Sequence, residues 1–438
     1  AAVAAQAQST RRPDMNLFGR ALRDPQQSLA VRGNLGATFY DALGKRLFDP
    51  NGVPAPDHGW GSFATGALIY NLSLANITFD GSLGGFATYY PNQARKFRTN
   101  VTPGAGAHTG WTRNLSDKTR LNVSSGLSLG SLSAEAILPG GPGGLGIDTG
   151  FGSSSDATSA FLPQQAAFVK GTRLSLFTGA SLTHELSRRF NLTGDYQIRK
   201  DTSFGGEGQP LGLWGQTVGA ALHFAVTRNL SVRGGYIYGE THRKNDDRIG
   251  RTHSADIGVD YNRGAVLQLT RRTTLAFNGG ASGYVDRAGT QHYRLIGNAS
   301  LNHQMGRTWI SGVDYTRGLD SNQLLFQEPL LNDTLTARMN GLISRRLGFH
   351  SEASVQHGSV GFARGDNDVV RSVADAGLQF ALGRHYALGA DYTYYRYNYS
   401  AQVARPLGLP TVSASQGVHV FLSAWAPIFQ RGGRNASR

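Results

Sequence analysis

The second half of this chain keeps a beat, and that beat narrows the possible folds more than any other feature. A short basic turn leads into a strand of alternating residues, then a loop, a second alternating strand, and another basic turn. The turn arginines are Arg188, Arg228, Arg271, Arg307, Arg345 and Arg384, so successive turns lie 40, 43, 36, 38 and 39 residues apart. Two strands of ~9–11 residues, each long enough to cross a hydrocarbon layer, fill about that period with one tight turn and one longer loop. Within the strands the alternation is clean. Phe190, Leu192, Gly194, Tyr196 and Ile198 alternate with Asn191, Thr193, Asp195, Gln197 and Arg199. Leu174, Leu176, Ala180, Leu182 and Leu186 oppose Ser175, Gly179, Ser181, Thr183 and Glu185, and Tyr386, Leu388, Ala390, Tyr392 and Tyr394 oppose Gly389, Asp391 and Thr393. A period of two is the mark of a strand with two unlike faces.

No stretch approaches the ~20 apolar residues of a membrane-spanning helix. A closed barrel removes the need for one, because only alternate residues then face lipid. The composition fits, with 58 glycines, 21 phenylalanines, 17 tyrosines and no cysteine in 438 residues. The lack of cysteine excludes a disulfide scaffold, a thiolate metal site and a cysteine nucleophile. The expected fold is all-β: a transmembrane antiparallel β-barrel of about eighteen strands with short periplasmic turns and longer external loops. The strands are expected within 27–43, 60–73, 77–90, 99–113, 119–132, 170–186, 190–202, 213–226, 230–243, 253–268, 273–286, 292–303, 308–318, 334–344, 348–361, 371–382, 385–399 and 414–426. A ring of that size encloses an aqueous channel rather than a core filled by side chains.

Residues 1–26 read as a residual signal and periplasmic lead-in, with an Ala-x-Ala step inside Ala1-Ala2-Val3-Ala4-Ala5-Gln6-Ala7. Residues 27–429 read as the barrel and 430–438 as a basic periplasmic tail. An energised receptor with an N-terminal plug is not expected from so short a lead-in. The longest connection, 133–169, carries Leu138-Pro139-Gly140-Gly141-Pro142-Gly143-Gly144 and joins the fifth and sixth strands. Here the chain resembles the porins of the bacterial outer membrane, whose corresponding loop folds inward, and the resemblance implies a constriction; a solvated external loop is the alternative. The last strand, Ser415-x-Gly417-x-x-Val420-x-Leu422, is similar to the barrel-assembly signal of outer-membrane proteins. It departs from that pattern by running on through Trp425-Ala426-Pro427-Ile428-Phe429.

The formal charge of +14 does not point to nucleic acid. Much of the excess sits in the short turns and the tail, forming a basic periplasmic rim without a recognition element or stacking aromatics. That rim either solvates the barrel end or steers anionic solutes or a periplasmic partner. Seven residues on from each turn arginine stand Asp195, Gly235, Asn278, Asp314, Glu352 and Asp391, all of inward parity. Asp256, Asp260 and Asp375 face inward on return strands, and the basic Arg199, Arg233, Arg294 and Arg338 share the inward parity. Asp195, Arg199, Arg233, Asp260, Arg294, Asp314, Arg338, Glu352 and Asp391 are therefore the pore-lining candidates. Such charges either pair across strands and stiffen the wall or set facing fields across a constriction.

Tyr196, Tyr236, Tyr315 and Tyr392 take the outward parity and, with Trp214, Trp309 and Tyr386, read as headgroup-level aromatics. Tyr395, Tyr397 and Tyr399 have the opposite parity and approach the outer mouth, as a track for a sugar chain or as a structural lining. The sequence carries no phosphate loop, paired-histidine metal spacing or nucleophile elbow, and Asp246-Asp247 and Asp366-Asn367-Asp368 read as solvated loop charge. No cofactor, metal or enzymatic activity is expected, and the surroundings are outer-membrane lipid and lipopolysaccharide. The leading function is a channel for hydrophilic solutes. One variant is an exit conduit for polysaccharide, similar to barrels of exopolysaccharide systems. The reading from another class is a non-conducting barrel that anchors an envelope or surface assembly.

Overall fold

The computed structural model describes residues 26–42, 58–89, 101–131, 172–204, 212–227, 230–243, 246–261, 267–270, 272–285, 290–306, 308–320, 330–360, 367–402 and 411–431. They form β1 (Gln27–Ala42), β2 (His58–Ser73), β3 (Ile77–Tyr89), β4 (Val101–Ser116), β5 (Thr119–Ser131), β6 (Thr172–Glu185), β7 (Phe190–Phe204), β8 (Gly212–Ala225), β9 (Leu230–Arg243) and β10 (Asp246–Tyr261). There follow β11 (Leu267–Thr270), β12 (Thr273–Val285), β13 (Gln291–Met305), β14 (Trp309–Asp320), β15 (Leu330–Leu342), β16 (Leu347–Val360), β17 (Asp368–Ala381), β18 (Tyr386–Tyr399) and β19 (Val412–Arg431). Chain neighbours are sheet neighbours, the pairings are antiparallel, and β1 pairs with both β2 and β19, which closes the ring. β10 and β11 follow one another along β12, so they share one stave and the ring has eighteen. The fold expected from the alternation is the fold observed.

Two strands run further than their residues suggest. β10 begins at Asp246 rather than 253, because Asp246 to Tyr261 continue the ladder with β9 beyond the apolar part of the stave. β19 continues to Arg431, pairing with β1 past the end of its ladder with β18 at Ala424. Pro427, which lacks an N–H, sits beside a register shift: Leu29 faces Phe429 and Ala30 faces Pro427, leaving Ile428 as the extra residue. A bulge on a stretch paired on one side accommodates a proline that a central ladder would not.

The turns show why arginine recurs behind a hydroxyl. In Leu186-Ser187-Arg188-Arg189-Phe190, the Leu186 and Ser187 amides donate to the Phe190 carbonyl at 3.0 and 3.2 Å. The Ser187 hydroxyl oxygen then accepts from the Arg189 and Phe190 amides at 3.3 and 3.2 Å. Ser344 does the same for Arg346 and Leu347, at 3.3 and 3.1 Å, and Thr227 accepts from the Leu230 amide at 3.0 Å. The side chain thus satisfies backbone donors that the tight turn would leave open, and the next residue faces solvent. Arg228, Arg271 and Arg307 lie outside the described residues, as do 1–25, the 133–169 connection and 432–438.

Nearly every stave presents large apolar groups to the outside. Leu35, Leu68, Leu83, Leu127, Leu182, Leu192, Val218, Ile257, Phe277, Leu301, Val313, Leu335, Val355, Leu378, Leu388 and Val420 are all exposed. A continuous apolar band of this extent is not stable in water. It is the lipid-facing belt of a membrane-spanning barrel. Tyr196, Tyr236, Tyr315, Tyr386 and Tyr392 are exposed on the same face. The Tyr315 hydroxyl donates to Asp333 at 2.7 Å and the Tyr392 hydroxyl to Gln416 at 3.0 Å, which marks the level where the belt turns polar.

Candidate functional site: the inner wall of the barrel

The other face of each stave is the inner wall, and two sectors of it differ. On β7, Asn191, Thr193, Asp195, Gln197 and Arg199 are half-buried, and so are Arg294, Asn298, Ser300 and Asn302 on β13 and Thr334, Thr336, Arg338 and Asn340 on β15. This sector is polar and partly open. On β18 the inward residues from Ala387 to Tyr399 are all buried, in strict alternation with the outer face. Ser415, His419, Phe421 and Ser423 of β19 continue the sealed sector, and Thr38 of β1 and Phe63 of β2 complete it.

Glycines make that sealing possible. Phe63 and Phe421 pack with ring centroids 6.4 Å apart. Gly36 and Gly389 supply the room: a Cβ on Gly36 would strike the Val420 carbonyl and the Phe63 ring, and one on Gly389 would enter the Phe421 ring. Hydrogen bonds stitch the same wall, with the Ser423 hydroxyl donating to Asn34 Oδ1 at 2.6 Å and the Asn34 amide to Thr65 Oγ1 at 3.1 Å.

The predicted lining residues divide between the sectors. Arg338 and Asp314 form a cross-strand ion pair at 2.9 Å, with 37% and 27% of their side chains exposed, so both meet lumen water. Arg199 closes on Asp201 at 2.6 Å, and Arg173 of β6 reaches the same carboxylate at 2.8 Å. Asp201 is 1% exposed and is held by two guanidiniums, which is a structural clamp rather than a solute contact. Asp195 lies over Gly219, where a Cβ would sit 2.7 Å from its carboxylate. Arg294 is half-buried and donates to the Tyr293 carbonyl at 2.9 Å. Glu352 pairs in register with Arg338 on one side and Asp375 on the other. Asp260 holds its register position between Ser231 and Asn278. Arg233 and Asp391 have the inward parity but are only 4% and 2% exposed, so they are packed into the wall.

The mouth tyrosines are packed as well. Tyr395, Tyr397 and Tyr399 are 1%, 1% and 5% exposed. The Tyr397 and Tyr399 rings stack at 6.0 Å with 6° between planes, and the Arg371 guanidinium lies 5.8 Å from the Tyr397 ring centre. Their faces are spent on one another.

Sequence reasoning passed over His350 and His419, which stand in the sealed wall beside Asp375 and Asp391. Each shares the inward parity of its strand, and that parity was the available signal. Their juxtaposition depends on register between strands, which no single strand contains.

No family model matches the chain. No curated protein matches it either. Among solved structures it is similar to OpdQ of Pseudomonas aeruginosa, at 12% identity and a TM-score of 0.44, over 92% of this chain and 98% of that one. It is similar to OccAB3 of Acinetobacter baumannii at 11% identity and a TM-score of 0.42, over 91% of this chain and 99% of that one. It is also similar to OccK2 of Pseudomonas aeruginosa, solved in complex with glucuronate, at 10% identity and a TM-score of 0.41, over 92% and 98%. The likeness to these structures is one of barrel architecture.

Proposed function

We propose that the protein is a non-enzymatic outer-membrane channel for small hydrophilic solutes. The observation that carries this reading is the half-open polar sector of a closed eighteen-stave ring, where Asp314 and Arg338 stand 2.9 Å apart and remain in contact with water. Uncharged polar groups dominate its remainder, with Thr334, Thr336, Asn340, Asn298 and Ser300. Such a lining offers exchangeable hydrogen bonds to a passing solute and holds none of them tightly. Among the lining candidates, Asp195, Arg294, Asp314, Arg338 and Glu352 belong to this path, while Arg199 is held in the clamp on Asp201.

Small solutes are favoured over polysaccharide because Tyr395, Tyr397 and Tyr399 offer no free ring face to a sugar chain. The outer belt sits in outer-membrane lipid and lipopolysaccharide. The exposed turn residues Arg188, Arg345 and Arg384 form a basic rim suited to an acidic periplasmic partner. A second reading, a non-conducting anchor, draws on the sealed sector from β18 to β2, since a barrel packed along one wall needs less to close it fully.

Planar-bilayer recording separates the two. The channel reading expects steady single-channel conductance, with a reversal potential under a salt gradient that gives the sign of the lumen field. A barrel silent across the voltage range, with residues 133–169 present and with them deleted, establishes the anchor instead.

A further inference from the structure

The outer face of β7 to β10 is bounded by two unlike girdles. Phe190, Phe224 and Val232 stand side by side in an outward row next to the short turns, and the two phenyl rings pack at 4.7 Å. Ten residues further from those turns, the corresponding row is Lys200, Trp214 and His242. At ~2.5 Å of height per residue in a tilted strand, the two rows lie ~25 Å apart. That is about the height of the apolar band between the aromatic girdles of a membrane barrel. The upper row therefore stands among the headgroups of the external leaflet.

Two cations at this level are poorly neutralised by the wall. Lys200 is exposed, and its register partners are Leu176 and Trp214. The Trp214 and His242 rings pack beside it at 4.9 Å, tilted by 54°. One row lower, Gln216, Glu240 and Arg251 lie side by side. Glu240 is sunk in the sheet, with 16% of its side chain exposed, and accepts from Gln216 Nε2 at 3.0 Å. Arg251 Nε stands 3.8 Å from Glu240, beyond hydrogen-bond range, and 61% of its side chain is exposed. On β14 and β15 the polar edge of the belt is arranged otherwise. There Arg317 lies 3.4 Å from Asp333, which also accepts from the Tyr315 hydroxyl, so that cation is matched within the wall.

We propose that Lys200, Trp214, Gln216, Glu240, His242 and Arg251 form a binding site for one lipopolysaccharide molecule, a reading that rests on the outer-membrane setting proposed above. Lys200 and Arg251 each take a phosphate of its glycolipid anchor, as ammonium and guanidinium groups at a headgroup level do. Gln216 and Glu240, between them, meet sugar hydroxyls, and the Trp214 and His242 rings seat the anchor at the edge of the belt. The spacing selects this lipid. Lys200 and Arg251 are three staves apart, ~14 Å at ~4.8 Å per stave, so one phosphate cannot serve both. An anchor with phosphates at the two ends of a linked sugar pair spans that interval, whereas a phospholipid with a single phosphate does not.

The test is calorimetric titration of the full-length, delipidated barrel in detergent with lipopolysaccharide, with bound lipid counted by phosphate analysis. One tightly held lipid per barrel is expected. Affinity falls about fivefold in Lys200→Gln or Arg251→Gln and about thirtyfold in the double variant, the worth of one and of two basic residues at a lipid headgroup. Arg396→Gln removes another exposed cation, on β18, whose Nε donates to Asn398 Oδ1 at 3.3 Å, and leaves the affinity unchanged. Lipopolysaccharide stripped of its phosphates binds the wild type as weakly as the intact lipid binds the double variant. The proposal is overturned if the double variant binds like the wild type, if Arg396→Gln weakens binding as much as Lys200→Gln, or if phosphatidylglycerol binds as tightly as lipopolysaccharide. A barrel that conducts in planar bilayers but binds no lipopolysaccharide loses this site and keeps the channel reading.

Discussion

Arginine in place of Val313 tests the assignment of faces at the point where it matters most. Val313 is 43% exposed on the outer face of β14, four residues from Trp309 at the turn end and two from Tyr315, whose hydroxyl meets Asp333 at the polar level. A strand rises ~3.3 Å per residue, and a tilt of ~40° reduces this to ~2.5 Å of height. Val313 therefore stands ~10 Å above Trp309, close to the middle of a belt ~25 Å tall. An arginine at that depth costs about 2–4 kcal/mol in a barrel of this kind. The matching control is Thr336→Arg on β15. Thr336 pairs in register with Asp314, one residue from Val313, and belongs to the half-open inner wall. Its arginine stays wet beside the Asp314 carboxylate and changes stability by no more than about 1 kcal/mol. The assay is reversible denaturant unfolding from lipid vesicles, followed by tryptophan fluorescence. A gap of ~3 kcal/mol is more than a hundredfold in the folding equilibrium. If the two variants lose the same stability, or Val313→Arg loses none, the outer face does not lie in hydrocarbon and the membrane assignment fails.

Asp201→Ala strands the Arg173 and Arg199 guanidiniums, 5% and 14% exposed, in a wall built around their carboxylate. It is expected to cost about 3–5 kcal/mol, as removal of one partner from a buried ion pair does, and equilibrium unfolding reads it directly. Gly389→Ala forces a methyl into the Phe421 ring and is expected to cost about 1–3 kcal/mol. Gly66→Ala, with nothing within 4 Å of its would-be Cβ, is expected to be neutral or slightly stabilising, and thermal melting compares the pair. Arg338→Gln removes the cation of the lumen pair and leaves Asp314, so the reversal potential under a salt gradient moves toward cation preference; movement toward anions contradicts the placement of that pair on the conducting path.

The strands and their faces could be read from residue types because lipid and water sort side chains with a period of two. Leu192, Tyr196 and Ile198 already announce one face and Asn191, Asp195 and Gln197 the other. The turns were nearly as plain, since Ser187 and Ser344 cap them with their own hydroxyls. The extra length of β10 and β19 was hidden because β10 starts in charged residues ahead of its alternation and β19 runs on through Pro427, which ordinarily ends a strand. Asp246 and Arg431 are held by partners on β9 and β1, and a ladder of that kind is a property of two strands together.

Parity identifies the face a residue occupies but not what that face meets. Asp314 and Asp391 each stand seven residues beyond a turn arginine and share the inward parity. Asp314 has a small neighbour, Gly312, beneath Arg338, and the guanidinium reaches it at 2.9 Å in a part of the wall open to water. Asp391 faces Gly377 on one side and His419 on the other, in a sector where Phe421, Phe63 and the stacked tyrosines exclude solvent. The same residue type at the same step of the repeat thus becomes a solvated charge in one place and an enclosed acid in the other. The consequence for conduction is specific. On the proposed channel reading, the lumen field is set by the exposed pair and its neighbours on β13 to β15 rather than by an acid packed into the wall.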